Sequence, residues 1–237
     1  MAKFNLIKRW KEALQSRLFL FRLALGLLLL IIATLAVKET GLRVDSIPTP
    51  SVPDLLHSLL PLIDVTALAT IGFVIIQLIF WAYFVLARPR DLPKVLAIYA
   101  IFLIFRSIFI NLTTFGAPSL RIDDRPYFEF LFSGYYFTQD LFPSGHTAFP
   151  FLGYLLIRNK KLKYFMLLAS LVMGASVLLL HVHYSIDVLG AYFIAYGSKG
   201  VYGWLGRKIK LLDPFKTPKQ IEESVKLPAL RKDAVPS

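Results

Sequence analysis

Long runs of apolar residues, separated by short polar and charged stretches, dominate the chain. A hydrocarbon core of about 30 Å is crossed by about 20 helical residues, because each residue adds about 1.5 Å. Six runs approach that length, and we expect each to form a transmembrane helix: 18–37, 62–86, 95–115, 143–157, 164–180 and 185–205. The pattern therefore predicts an all-α fold, a polytopic integral membrane bundle of six helices.

The composition supports a membrane protein. The 237 residues are 56% hydrophobic and 18% charged, whereas a soluble domain is about 45–50% apolar and about 25% charged. The net charge of +12 does not indicate a nucleic-acid partner, because too little polar surface is left to present it. The chain contains no cysteine, which excludes a disulfide framework, thiol chemistry and a cysteine-ligated metal.

The basic residues divide unevenly between the loops. If the six runs alternate across the membrane, 20 lysines and arginines lie on the side of both termini and 4 on the opposite side. Basic loops mark the cytoplasmic side, so both termini are predicted to be cytoplasmic. The predicted organisation is a cytoplasmic basic arm (1–17), a transmembrane catalytic domain (18–205) and a polar, disordered cytoplasmic tail (206–237).

Three of the four histidines lie near predicted helix starts on the side opposite the termini. His146 opens the fourth span, and His181 and His183 precede the sixth. Asp187 follows His183 by four residues, so one helix face carries both, and the carboxylate can orient the imidazole. An aspartate within a membrane helix is costly and usually has a partner and a function. His57 lies in a predicted short interfacial helix, 54–60, and is interpreted as a bystander.

The start of the fourth span has the features of an anion site. Ser144 is a candidate helix cap, Gly145 lets a ligand approach the backbone, and the helix amides favour a phosphate. This pattern indicates phosphoryl transfer, with His183 as the nucleophile, Asp187 orienting it, and His146 as general acid and then base. Two alternatives stay open: histidines that only satisfy nearby carbonyls, and a zinc site built from His146, His181, His183 and Asp187.

These stretches resemble signature motifs of the type 2 phosphatidic acid phosphatase superfamily, and the sphingomyelin synthase branch is the nearer match. That branch carries Gly-Asp-x-x-x-Ser-Gly-His-Thr, which residues 139–147 resemble, with Gln139 in place of the glycine. It also carries His-x-His-Tyr-Thr-x-Asp-Val and then Ala-Tyr, which residues 181–192 resemble, with Ser185 in place of the threonine. Arg106 and residues 112–118 resemble a degenerate copy of a third motif, so the resemblance covers residues 106–192.

The resemblance implies six spans and an active site on the exoplasmic face of a bacterial inner membrane or of a Golgi or plasma membrane. It implies a phosphotransferase that moves a phospho-headgroup from a glycerophospholipid to a lipid hydroxyl such as ceramide, through a phosphohistidine. Its partners would be membrane lipids, and no metal or cofactor is implied. A lipid phosphate phosphatase is the alternative, and a transporter or scramblase is a third, less favoured one.

Two departures from the phosphatase pattern favour the transferase branch. The phosphatases carry a Lys-x6-Arg-Pro motif that has no matching copy here. They also carry Ser-Arg where this chain has Ser176-Val177. The arginine that would meet the phosphate is therefore missing, and another cation must replace it.

Arg106, in the third span, is the first candidate for that cation, and the loop residues Arg121 and Arg125 are further ones. A structural ion pair of Arg106 with Asp64 or Asp140 is the alternative interpretation. Asp140 is also a candidate to hold a catalytic histidine or the amides of the helix start. Tyr184 is a candidate to line the substrate site.

Overall fold

The structure is a computed structural model that describes residues 6–122 and 137–209. Every regular element in these two ranges is helical, and neither contains a strand, which confirms the predicted all-α fold. The tail after residue 209 lies outside these ranges. The helices are α1 (Leu6–Leu14), α2 (Arg17–Asp45), α3 (Leu55–Leu59), α4 (Leu68–Ala87), α5 (Leu92–Leu112), α6 (Gly145–Leu156), α7 (Lys160–Leu179) and α8 (Ser185–Lys208).

One helix, α4, departs from simple α geometry, and the next begins directly after a 3₁₀ turn. The ends of α4, Leu68–Gly72 and Tyr83–Ala87, are π-helical, and its centre, Phe73–Ala82, is α-helical. A 3₁₀ turn, Pro89–Asp91, leads directly into α5. Pro93 lies in the first turn of α5. Its missing N–H has no cost there, because the first amides of a helix have no intrahelical acceptor.

Among the described residues, four helices are long and apolar enough to cross a membrane: Arg17–Asp45, Leu68–Ala87, Pro89–Leu112 and Lys160–Leu179. Of the other two predicted spans, α6 has only 12 residues, and α8 has 24 but is less apolar. Large apolar side chains cover the outside of the bundle, for example Leu28, Ile31 and Leu168. These features fit an integral membrane protein, while six spans and cytoplasmic termini stay predictions.

Close helix packing brings the starts of α6 and α8 together at one end of the bundle. α2 packs along α5, and α6 contacts both α7 and α8. A Cβ at Gly174 of α7 would lie 3.0 Å from the Val188 side chain of α8, which is closer than most Cβ contacts, so the glycine helps the two helices approach. The Ser144 amide before α6 donates to the Asp187 carbonyl of α8 at 3.0 Å. This backbone bond joins the two motifs that carry the histidines.

The segment between α2 and α4 crosses that same end of the bundle. Residues 46–60, which we call the strap, begin with an extended stretch that contains three prolines and end with α3. Asp54 caps α3 by accepting hydrogen bonds from the amides of Leu56 (2.9 Å) and His57 (3.1 Å). The short helix predicted for residues 54–60 is therefore present, although it has no buried residue of its own.

Candidate active site

His183 lies in the turn before α8, not on the helix face that its spacing to Asp187 predicts, but the two side chains do contact each other. The Nδ1 atom of His183 is 3.3 Å from Oδ2 of Asp187, and the same oxygen accepts the Tyr184 amide at 2.8 Å. Asp187 is completely buried. Because one carboxylate oxygen holds both the ring and the backbone beside it, the imidazole has a fixed direction, with Nδ1 toward Asp187.

His146 faces His183 from the first turn of α6. The centroids of the two imidazole rings are 6.2 Å apart, and the ring planes meet at 65°. Phe73 of α4 packs against the His146 ring at a centroid distance of 4.5 Å. One histidine from α6 and one from the turn before α8 therefore stand on opposite sides of one small space.

That space is a cavity of about 200 Å³. One part of its wall is polar, with Arg106, Arg121, Thr138, Asp140, Gly145, His146 and His183. The remaining wall is apolar and largely aromatic, with Phe73, Tyr99, Phe102, Leu103, Phe137, Leu141, Phe149 and Val182. The cavity thus joins two histidines and two arginines to a surface suited to an apolar group.

Arg106 makes the ion pair with Asp140 that was one of its two predicted roles, and it lines the cavity, while its role as the phosphate cation stays a prediction. Its Nη2 atom lies 3.0 Å from Oδ1 of Asp140 and donates to the Asp140 carbonyl at 2.6 Å, and Nη1 donates to the Pro143 carbonyl. A Cβ built on Gly145 would lie 3.9 Å from Nη1, so the guanidinium is at the first turn of α6. Asp64, the other proposed partner, accepts the Thr66 amide instead.

Two predicted substrate-binding residues do not line the cavity. Ser144 occupies the N-cap position of α6, but its fully buried hydroxyl makes no capping bond and accepts from Thr147 at 3.4 Å. Tyr184 is 1% exposed, and its hydroxyl donates to the Gly116 carbonyl at 2.8 Å and accepts the Val52 amide at 3.1 Å. Both side chains therefore make their hydrogen bonds within the protein and not toward the cavity.

The strap supplies contacts that the sequence reasoning missed. His57 lies 2.9 Å through Nε2 from the carbonyl of His183, and its ring stacks on His181 at a centroid distance of 4.2 Å. Oδ2 of Asp54 accepts both the amide and the hydroxyl of Ser185, each at 2.8 Å. No spacing rule could indicate these pairs, since His57 and His183 are 126 residues apart.

The charge states of Asp54 and His57 favour the contact between the strap and the start of α8. Burial works against ionisation of Asp54, but the hydrogen bonds from Ser185 and the His57 amide outweigh it and hold the pKa of Asp54 below its ordinary value. Burial lowers the pKa of His57, and the His183 carbonyl only partly offsets this effect. The two side chains are thus most stable as an ionised carboxylate and a neutral imidazole.

The zinc alternative does not fit the arrangement of the histidines. Within the described ranges, no group of three or more histidine, aspartate or glutamate side chains is placed to hold a metal ion. His181 instead faces His57 and places Nδ1 3.2 Å from the Leu120 carbonyl. Arg125, the remaining candidate cation, lies outside the residues that the structure describes.

The model of the PAP2 superfamily matches residues 95–209, just under half of the chain. This match supports the PAP2 superfamily. PAP2 members are phosphatases or phosphotransferases, so the match supports an enzyme with such chemistry on lipids. All of the residues predicted to act in the site lie inside the PAP2 match, and the strap lies outside it. No curated protein and no solved structure matches the chain significantly.

Proposed function

We propose that this protein is a lipid headgroup phosphotransferase of the sphingomyelin synthase type. It would move a phosphorylated headgroup from a glycerophospholipid to a lipid hydroxyl such as that of ceramide. The observation that carries the proposal is the placement of the Asp187-held His183 opposite His146, with 6.2 Å between the ring centroids, in a cavity that also contains Arg106.

In the first step, Nε2 of His183 attacks the phosphorus of the donor lipid and forms an N–P bond. The bond between phosphorus and the glycerol oxygen breaks, and His146 gives that oxygen a proton, so that diacylglycerol leaves. In the second step, His146 takes the proton of the acceptor hydroxyl, whose oxygen attacks phosphorus while the N–P bond breaks. Asp187 keeps Nδ1 of His183 directed away from the substrate throughout.

The charge on the phosphate would meet Arg106 and the first turn of α6. The first amides of a helix have no intrahelical acceptor, and the helix dipole favours an anion at this end. Arg106 is held by Asp140 and two backbone carbonyls, so its guanidinium is positioned before substrate arrives. Electrostatic groups that need no rearrangement are an effective way to stabilise a charged transition state.

The apolar wall supports a lipid as substrate. Five aromatic side chains line the cavity beside the histidines: Phe73, Tyr99, Phe102, Phe137 and Phe149. A soluble phosphate ester would leave this surface without a partner, whereas the glycerol or sphingoid backbone of a lipid can cover it. We also propose that the protein spans the membrane six times and presents this cavity on the exoplasmic face.

The position of the missing phosphatase arginine favours transfer over hydrolysis. Val177 stands there, and it is fully buried inside the helix bundle. The nearby Ser176 hydroxyl donates to the Val172 carbonyl of its own helix at 2.8 Å. Neither residue reaches the cavity. In this proposal the cation that meets the phosphate is Arg106 on α5, whereas the phosphatase pattern would place it at position 177 on α7.

Purified protein in vesicles that contain unlabelled phospholipids and fluorescent ceramide tests the proposal. We expect a fluorescent phospho-ceramide on lipid chromatography, absent in His183→Ala, and its mobility identifies the headgroup. Untouched ceramide together with phosphate release from phosphatidic acid would instead establish a phosphatase. Lipid movement across the bilayer without headgroup cleavage would establish a transporter or scramblase.

A further inference from the structure

We propose that His57 is a positioning residue for the nucleophile: it holds the turn His181–His183 through one hydrogen bond and one ring contact, so that the His183 imidazole faces His146. This role rests on the proposed phosphotransfer. His57 belongs to the strap, outside the PAP2 match, and does not line the cavity. It can therefore act only through the residues that it contacts.

The turn before α8 has its own backbone hydrogen bonds, from the amides of His181 and Val182 to carbonyls of α7 at 3.1 Å each, but it also contains a strained residue. His181 has a φ of 54°, in the left-handed region that glycine usually occupies at the end of a helix. For a side chain with a Cβ this conformation is strained and persists only where its surroundings fix it. His181 is two residues before His183, so a change in its φ would redirect the nucleophile.

His57 supplies that support at two points of the same turn. Its ring stacks on His181, with planes 14° apart, and an Nε2–H donates to the His183 carbonyl at 2.9 Å. The bond requires the neutral tautomer with a proton on Nε2, or the cation. Since burial lowers the pKa of His57, the neutral tautomer is the form that acts.

The rest of the strap keeps His57 in place. Asp54 caps α3 through the His57 amide and binds the amide and hydroxyl of Ser185, the first residue of α8. Val52 binds the Tyr184 hydroxyl. Contacts to residues 181, 183, 184 and 185 thus come from one short segment, and His57 makes the one to the backbone of the nucleophile itself.

The experiment compares kcat and KM of full-length variants in vesicles with whichever lipid the wild type turns over. His57→Gln keeps an N–H donor, His57→Phe keeps a ring over His181, and His57→Ala keeps neither. Ser58→Ala is the matched control, because its hydroxyl donates to Leu55 in its own helix. We expect kcat to fall about tenfold or more in the alanine and phenylalanine variants, with KM nearly unchanged.

Glutamine should restore most of the lost kcat, and the Ser58 variant should match the wild type. A role in packing alone would reverse the pattern, with phenylalanine active and glutamine not, and would overturn the proposal. An alanine variant with the kcat of the wild type would also overturn it. Variants are compared only as monodisperse preparations. If His57→Ala does not fold, the comparison of His57→Gln with His57→Phe provides the test.

Hydrogen exchange separates failure of this proposal from failure of the proposed function. His57→Ala should speed amide exchange in the peptide that contains residues 181–187, while Ser58→Ala should not. This result is expected even if the wild type shows no lipid chemistry, in which case only the proposed function fails. If the wild type is active and His57→Ala leaves amide exchange in this peptide unchanged, the positioning role is overturned.

Discussion

Two regions meet at the active end of this molecule, and they are built on different principles. The starts of α6 and α8 carry His146, His183 and Asp187, whose chemical types and spacing the reaction itself requires. The strap carries no residue that lines the cavity, yet it reaches both sides of it. It contacts the turn before α8 and, through the Ile47 carbonyl and Gln139 at 3.1 Å, the segment that precedes Asp140.

The difference shows how the protein separates chemistry from support. Residues that touch substrate must be of particular types, whereas residues that hold them need only reach a backbone carbonyl or amide. Asp45 illustrates the second kind: its carboxylate accepts the amides of Thr138 and Gln139 at 2.9 and 2.8 Å. We therefore expect substitutions in the first region to abolish turnover. Substitutions in the second region should only reduce it, by an amount that depends on how far they displace the catalytic side chains.

Replacing the nucleophile should give the largest effect. His183→Ala removes the atom that would form the N–P bond, so we expect headgroup transfer to fall by at least about 10³-fold. The lipid assay measures it, with His57→Gln as the strap control that keeps its donor. An alanine variant that keeps a tenth of the wild-type activity would show that both regions serve only as support.

Substitution of the cation should have a smaller effect. Arg106→Lys keeps the charge but cannot make the same set of bonds to Asp140 and Pro143, so we expect kcat/KM to fall by about 10–100-fold. Arg121→Lys is the matched control on the cavity wall. Equal losses of kcat/KM in both variants would mean that Arg106 is no more important for the phosphate than Arg121 of the loop.

The contact between His183 and Asp187 could be predicted from the sequence, because their i, i+4 spacing is local. Asp187 lies in the first turn of α8 and reaches back to His183 in the turn before the helix, so the contact is local although His183 itself is not helical. The role of Tyr184 could not be predicted in this way. Its neighbours are motif residues, but its hydroxyl lies between Val52 and Gly116, and only the folded strap brings them together.

The lengths of the spans show a second limit. Apolar runs predicted six spans, and among the described residues four helices are long and apolar enough to cross a membrane. The fourth run became the 12-residue α6, because its first residues form the turn that ends at Gly145. Hydropathy measures what a residue prefers to contact, and it does not register that a short helix is surrounded by its neighbours.

Removal of the Tyr184 hydroxyl tests a residue that supports the site without lining the cavity. Tyr184→Phe loses bonds to Val52 and Gly116 but changes nothing on the cavity wall. We expect a loss of about 1 kcal/mol in the free energy of unfolding, with KM unchanged. Denaturant titration and the lipid assay measure the two quantities. A large increase in KM with unchanged stability would place Tyr184 in the substrate site.

The pH dependence of the strap should give the smallest effect. Because the native pKa of His57 lies below its ordinary value of 6.5, the unfolded chain takes up this proton first as the pH falls. The stability contributed by neutral His57 is therefore complete above about pH 6.5 and decreases below it.

Thermal unfolding between pH 7.5 and 5 measures this effect, with His57→Gln as the variant that cannot titrate. We expect the wild type to lose slightly more stability than the variant, since the ring is only partly buried and water reduces the effect. The opposite order would mean that a protonated His57 is preferred by the fold, for example through Asp54 and Asp187.

The most direct test of the central claim is to capture the covalent intermediate. Protein in vesicles with donor phospholipid and no acceptor is quenched in alkali, which preserves phosphohistidine, and its peptides are weighed by mass spectrometry. We expect the phospho-headgroup on the peptide that contains His183, and none in His183→Ala. Lipid turnover that continues in His183→Ala, or a headgroup attached to His146 instead, would contradict the account.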